Sequence, residues 1–342
     1  MTAGYVYIAL ATLFFSTMEI ALKTVAGTFN PIQLNFTRFL VGGLVLLPIA
    51  ARMLRQRHER VDAAALGSFA WLGFVGVTVS MTLYQLAVEN ANASVVAVLF
   101  SSNPVFVLLF AFLILHATIM RQHVIALILE CLGIVAIINP LHTDISLSGI
   151  VYTMLATVTF ALYGVLGARS VTRFSGVVVT SGSFLCAALE MLLLIALSHA
   201  APVAEALTAH GLAHFARIPL LSGYTPSTAA TMLYVSIGVT GAGYACYFMA
   251  IQTTSPVTAS VVFFLKPALA PLLALFILGE PIPFHMAAGI VLILLGSLAS
   301  LLPILLLKRT ARMLRLRHKL HHSAHTHPHR HDRHHASRPR RT

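Results

Sequence analysis

Charge is scarce in this sequence: 9% of its 342 residues are Asp, Glu, Lys or Arg, against about 25% in an average soluble domain. With 58% hydrophobic residues and a mean hydropathy of +0.87, that scarcity excludes a soluble enzyme and a disordered chain. Cysteine is scarce too. Cys131, Cys186 and Cys246 lie inside apolar runs without paired spacing, which excludes a disulfide framework and a zinc-finger pattern. Aromatics at 9% and 15 prolines rule out low-complexity and fibrous classes. His-Glu-x-x-His, Gly-x-Ser-x-Gly and a Gly-rich phosphate loop are all missing. The chain therefore lacks the signatures of a membrane hydrolase or an ATP-driven pump, and is read as no enzyme and as needing no cofactor. The net charge of +12 is a tail property, because 11 of the 22 Lys and Arg fall between Lys308 and Arg341. It implies no nucleic-acid partner.

What is present is a series of long apolar runs, near 4–25, 31–51, 65–87, 93–115, 122–139, 147–167, 176–197, 229–251, 256–278 and 285–306. Each approaches the length, about 20 residues, of a helix that crosses a bilayer. They are continuously apolar rather than alternating, so they predict membrane helices and not a barrel. The fold expected is an all-α integral membrane protein with ten transmembrane helices, its partner being the lipid bilayer. The first run has no basic n-region and carries Glu19 and Lys23; it reads as a retained helix rather than a signal peptide.

Basic residues resist translocation, so loop charge predicts orientation. Arg52, Arg55, Arg57, Arg60, Arg121, Arg169, Arg173 and the basic tail fall on one side if both termini are cytoplasmic, whereas Glu89, Asp144, Glu205, Glu280 and the single basic residue Arg217 fall on the other. A multi-pass protein of a bacterial inner membrane is expected.

Sliding the sequence against itself by 163 residues aligns Tyr84 with Tyr247, Phe100 with Phe263, Pro104 with Pro267, Gly133 with Gly296 and Pro140 with Pro303. A shift of 145 aligns Phe15 with Phe160 in the first and sixth runs. The difference is assigned to extra chain in the loop 199–228, where Val203 to Arg217 suits a short surface helix. Five helices per repeat is odd, so the second copy enters from the opposite side. Two inverted five-helix repeats result, covering 1–140 and 141–307, followed by a tail over 308–342.

Ionisable groups inside membrane helices are functional hypotheses by default. Glu19 and Lys23 are four apart, share a helix face and can neutralise each other. Lys266 precedes Pro267, which frees backbone carbonyls, and its counterpart Asn103 precedes Pro104. That polar-Pro step points to a central cavity lined by both; the structural alternative pairs Lys266 with a buried Glu. Arg38 reaches an outer vestibule or pairs with Glu19 or Glu89. Tyr84 and Tyr247 line the pocket as a repeated pair, while Tyr163 and Tyr244 satisfy backbone groups. Glu130 and Glu190 have no basic neighbour in sequence. Gly289 and Gly296 suit close helix packing.

The tail joins a basic amphipathic stretch, Lys308 to Lys319, suited to anionic headgroups, to nine histidines between His318 and His335. These either bind Zn²⁺ or Ni²⁺ or form a disordered tract without specific use.

Three segments carry a family resemblance: Pro31-Ile32-Gln33-Leu34-Asn35-Phe36-Thr37-Arg38-Phe39, Leu278-Gly279-Glu280-Pro281, and Ala91 to Leu115 with Pro104 inside it. On these residues, 4–306 resembles the EamA-type carriers of the drug/metabolite transporter superfamily. The resemblance implies ten helices as two inverted repeats, a central cavity between them, and movement of small organic metabolites without ATP. The first repeat reads Leu115-His116-Ala117 where the second has Leu-Gly-Glu, so Glu280 is taken as a loop or helix-end residue. The function expected is secondary transport, by alternating access, of a small amino-acid-like or other polar or zwitterionic solute, with proton coupling through Glu19 as a weaker expectation. Its substrate-binding residues are Glu19, Lys23, Arg38, Tyr84, Asn103, Tyr247 and Lys266, with no metal site in the helices. The alternative is a metal-responsive membrane sensor or scaffold that uses the histidine tail.

Overall fold

The structure is a computed structural model that describes residues 2–118, 121–138, 146–296 and 298–299. Every regular element among the described residues is a helix. In chain order the apolar helices are α1 (Ala3–Thr24), α2 (Pro31–Arg57), α3 (Ala63–Asn90), α4 (Ala93–Leu115), α5 (Arg121–Ile138), α6 (Leu147–Arg173), α7 (Gly176–Ser198), α8 (Pro226–Thr253), α9 (Val262–Leu278) and α10 (Phe284–Gly296). Seven of them, α1–α4 and α6–α8, are long and apolar enough to cross a membrane; α5, α9 and α10 carry shorter apolar stretches. The expectations for Pro140, Asp144, Pro303 and the tail 308–342 lie outside the described residues.

Polar side chains start these helices. Asn30 accepts from the Ile32 N–H ahead of α2, Asp62 from Ala65 ahead of α3 and Ser175 from Val178 ahead of α7. Each occupies one of the first-turn N–H groups that a helix cannot satisfy internally. The outside of the bundle is apolar and its largely apolar core holds a few polar side chains: Leu113 and Leu193 are each 56% exposed and Phe276 81%, while Glu19, Arg38, Asn103 and Lys266 are fully buried. In a bilayer the outer face meets lipid and the polar groups find partners within.

Successive loops fall at opposite ends. At one end Arg57 donates to the Phe174 carbonyl (2.8 Å), Arg169 to that of Ile114 (2.8 Å), and Arg173 pairs with Glu59 and Asp62 at 3.1 Å each. The Ala65 N–H and Arg173 hold the Asp62 carboxyl below the usual carboxylate range. At the other end Asn30 donates to the His214 carbonyl and Gln33 to that of Ser222, both at 2.7 Å, fastening the loop between α7 and α8 over the start of α2. That loop contains a helix, Ala201–Ala209, shorter than the expected Val203 to Arg217 because Gly211 turns the chain with φ +74.

Four helices are interrupted near mid-span, and a fifth is preceded by a separate short turn. In α1, Thr12 and Ser16 bond back to the carbonyls of Ile8 and Thr12, and the helix breaks at Thr17; such back-bonding bends helices. In α4 the break falls at Ser101 and Ser102, immediately before Asn103 and Pro104. A short turn, Pro256–Ala259, precedes α9. Wider π-helical turns replace α-helix at Phe74–Val79 in α3 and at Tyr234–Gly243 in α8, two stretches that coincide at the 163-residue offset. The same offset relates the left-handed residues that end α4 and α9, His116 (φ 53) and Gly279 (φ 71). Helices α5 and α10 pack through small residues: a methyl added at Gly289 would lie 2.6 Å from the Gly133 carbonyl, and one at Gly296 would lie 2.9 Å from that of Ala126. This is the close packing expected of Gly289 and Gly296.

Candidate functional site

The interruptions surround one buried polar centre. Glu19, just beyond the break in α1, forms an ion pair through Oε1 with Lys266 Nζ of α9, and the same oxygen accepts from the Tyr84 hydroxyl of α3. Lys266 also donates to the Tyr84 oxygen at 3.4 Å. All three side chains are fully buried. Aromatic faces complete the surroundings of the ammonium, with the Phe100 centroid 4.8 Å from Nζ and those of Tyr84 and Phe263 at 5.6 and 5.9 Å. Rings attract a cation that has left water. The second carboxylate oxygen, Oε2, has no partner among the described residues.

Phe15, Phe100, Phe160 and Phe263 form a frame around this centre, with Phe100, Phe160 and Phe263 in mutual contact at 5.5–5.8 Å and Phe15 at 6.1 Å from Phe263. Tyr247 joins the frame against Phe160 at 5.7 Å, and its hydroxyl is buried without a partner among the described residues. Asn103 lies one turn along α4 from Phe100 and donates to the Thr157 carbonyl of α6 at 3.2 Å, leaving Oδ1 unpaired among the described residues. Arg38 is fully buried on α2, donates from Nε to Asn35 Oδ1 (2.8 Å) and stacks over Phe39 at 4.6 Å; its electrostatic neighbours are Tyr244 and Tyr84.

Several sequence expectations need correcting. Glu19 and Lys23 do not pair. The Lys23 ammonium instead donates to the carbonyls of Val88 and Ala91 at 2.8 Å each, where a cation meets the unsatisfied, partly negative end of α3. It thereby stands apart from the centre, and Lys266 takes its place beside Glu19, as the structural alternative for Lys266 anticipated. Arg38 pairs with neither Glu19 nor Glu89; the latter accepts from Gln85 at 3.3 Å and lies 4.0 Å from His214. The tyrosines find side chains rather than backbone, Tyr163 meeting Ser183 at 3.1 Å and Tyr244 donating to Met81 Sδ at 2.8 Å. Glu190 accepts from Thr78 at 2.7 Å, within the π-helical turn of α3, and the Glu130 Oε2 is buried without a partner among the described residues.

Sequence reasoning gave no role to the phenylalanine frame, although its signal was available: Phe15 and Phe160 pair at one repeat shift, Phe100 and Phe263 at the other. It also passed over Asn35, and it left Glu280 as a helix-end residue without a task. That carboxylate accepts from the N–H groups of Ala93 and Ser94, at 2.9 Å each, and from the Ser94 hydroxyl at 2.6 Å, capping α4 from the loop after α9. No group of three His, Cys, Asp or Glu that could hold a metal occurs among the described residues. The histidine tract His318 to His335 lies outside them.

The EamA-like transporter family model matches residues 2–139 and again 147–302. An uncharacterized transporter from Clostridium kluyveri is 34% identical over 308 residues, covering 88% of this chain and 93% of its own. Protein PecM of Dickeya dadantii is 26% identical over 266 residues, covering 75% and 83%. A crystal structure 19% identical in sequence superimposes with a TM-score of 0.62 over 88% of this chain and 98% of its own, a likeness of fold.

Proposed function

The chain belongs to the EamA-like transporter family, and from that premise we propose that it is a secondary carrier moving a small polar or zwitterionic metabolite, amino-acid-like by preference, by alternating access. It is a multi-pass membrane protein, a transporter rather than an enzyme by family and by the names of its relatives. The observation that carries the finer reading is the buried ion pair of Glu19 and Lys266 with the Tyr84 hydroxyl on the same carboxylate. A buried pair is weak evidence for stability alone, since packed apolar residues do as well. It is well suited to a cargo whose own polar groups exchange with the pair. A cationic group on the cargo competes with Lys266 for Glu19, and the unpaired atoms of Asn103 and Tyr247 offer an acceptor and a hydroxyl.

Alternating access here means that two inverted five-helix repeats rock about this centre. The double family match, the π-helical turns at equivalent positions and the interruptions around the polar centre support that mechanism. Both termini are placed in the cytoplasm of a bacterial cell, with the end of the bundle that carries Arg57, Arg169 and Arg173 facing inward. A coupling proton would ride on Glu19.

Uptake of labelled amino acids, organic cations, sugar phosphates and nucleosides into liposomes holding the full-length protein tests the proposal. Wild type is expected to move one class, and Lys266→Met and Glu19→Gln to lose that movement while still inserting and eluting as the wild type does. Unchanged transport in both variants would remove the site. The histidine-tail sensor is separated by truncation after Arg317, which is expected to leave transport intact.

A further inference from the structure

The centre described above holds more positive than negative charge. Glu19 answers Lys266, but Arg38 has no acidic partner among the described residues. Its guanidinium is fully buried, and among the described residues only Nε is hydrogen-bonded while both terminal nitrogens lack an acceptor. Arginine keeps its proton under all ordinary conditions, so this charge cannot be relieved by titration. An uncompensated buried charge is among the costliest features a fold can keep. Unfilled acceptors and donors cluster around it: the Asn35 amide nitrogen on the same helix and the Thr240 hydroxyl on the facing helix α8 are both buried without partners among the described residues. Thr240 packs beside Gly42, one turn along α2 from Arg38, its Cγ2 3.2 Å from where a Gly42 Cβ would sit. Arg38 stacks over Phe39, whose ring meets that of Tyr244 at 5.8 Å, and Tyr244 in turn meets Phe15 of the aromatic frame at 5.0 Å. The lone cation thus borders the proposed cargo site.

We propose that Arg38 is the anion-recognition residue of this carrier, and that the cargo is a carboxylate whose two oxygens meet the two free guanidinium nitrogens. This rests on the carrier reading and narrows it to one substrate class. The planar fork of a guanidinium matches a carboxylate bidentately, and the cargo supplies the counter-charge that the protein lacks. The Phe39 ring beneath the guanidinium and the Asn35 bond to Nε fix the plane of the fork. Where the cargo is an amino acid, its ammonium lies on the Glu19 side and its carboxylate on the Arg38 side.

The test uses full-length protein in liposomes and, in detergent, thermal stabilisation by the proteinogenic amino acids, their amides, the matching amines and unsubstituted acids, and inorganic phosphate. Ligands that bind only the folded state raise its melting temperature. At least one acid is expected to bind and be transported at least about tenfold better than its amide, with phosphate inert. Arg38→Gln is expected to lose that preference. Asn35→Asp guards against an arginine needed only for folding: it places a carboxylate beside Arg38, so it should fold at least as stably as wild type yet bind the acid at least about tenfold more weakly. Equal handling of acid and amide, undiminished acid binding in Asn35→Asp, or a preference for phosphate would overturn the assignment. Transport of an amine or neutral solute that depends on Lys266 but not on Arg38 would sink this inference while leaving the carrier standing. Movement of no solute class would defeat both.

Discussion

Tyr84 packs edge-on against Phe100 with ring centroids 4.9 Å apart, and 163 residues later Tyr247 packs edge-on against Phe263 at 5.9 Å. The two hydroxyls meet different surroundings. That of Tyr84 donates to Glu19, while that of Tyr247 lies over Gly164, 2.8 Å from where a Cβ would stand. Gly164 is the counterpart of Glu19 at the 145-residue shift. Likewise the first segment has Asn103 where the second has Lys266. The two matched segments share an aromatic frame and differ in charge, the acid belonging to one and the base to the other. A repeated scaffold can supply matching hinges and walls while its binding chemistry is set by the few positions where the copies diverge.

The largest effects should come from breaking that divergence. Lys266→Met or Glu19→Gln alone leaves a buried group without its partner and should cost about 3–5 kcal/mol. The double variant should regain much of that stability while still failing to transport, as thermal denaturation in detergent and liposome uptake would show. Filling the space that the second segment keeps open at Gly164 should also be damaging. Gly164→Ala pushes a methyl against the Tyr247 oxygen and should cost about 1–3 kcal/mol, and adding Tyr247→Phe, which removes that oxygen, should restore most of it.

Much of the scaffold was legible in the sequence, because apolar length and repeat spacing are properties of the chain itself. The partners of charged groups were less so, a buried Glu for Lys266 being foreseen only as an alternative and without its number. Glu19 and Lys23 sit four apart and look like a pair, but a lysine near a helix end reaches unsatisfied carbonyls more readily than it turns inward, so Lys23 went to Val88 and Ala91. The partner Glu19 does have lies on the ninth helix, and nothing local announces it. The π-helical turns were only half announced: Phe74–Val79 holds Gly76 and Tyr234–Gly243 holds Gly238, Gly241 and Gly243, which weaken an α-helix, but glycine alone does not tell a wider turn from an ordinary kink.

Smaller effects probe the cap that only one segment has. Glu280→Ala removes the acceptor for Ala93 and Ser94 and should cost about 1–2 kcal/mol, whereas Ala117, its counterpart, should accept most polar replacements with little change in melting temperature. Smallest of all are the two helix ends. Gly279 has open space around it and φ +71, so Gly279→Ala should cost about 1 kcal/mol through backbone strain alone. His116→Gly should gain up to about 1 kcal/mol by relieving the same conformation in α4.

The central claim is that the buried polar centre opens to each side of the membrane in turn. Asn103, fully buried beside the frame, reports on it most directly. In a chain with Cys131, Cys186 and Cys246 replaced by alanine, Asn103→Cys should react with a membrane-impermeant thiol reagent applied to either face of oriented vesicles, at rates that cargo shifts in opposite directions. Reaction from neither face, or from one face at a rate indifferent to cargo, would contradict the account.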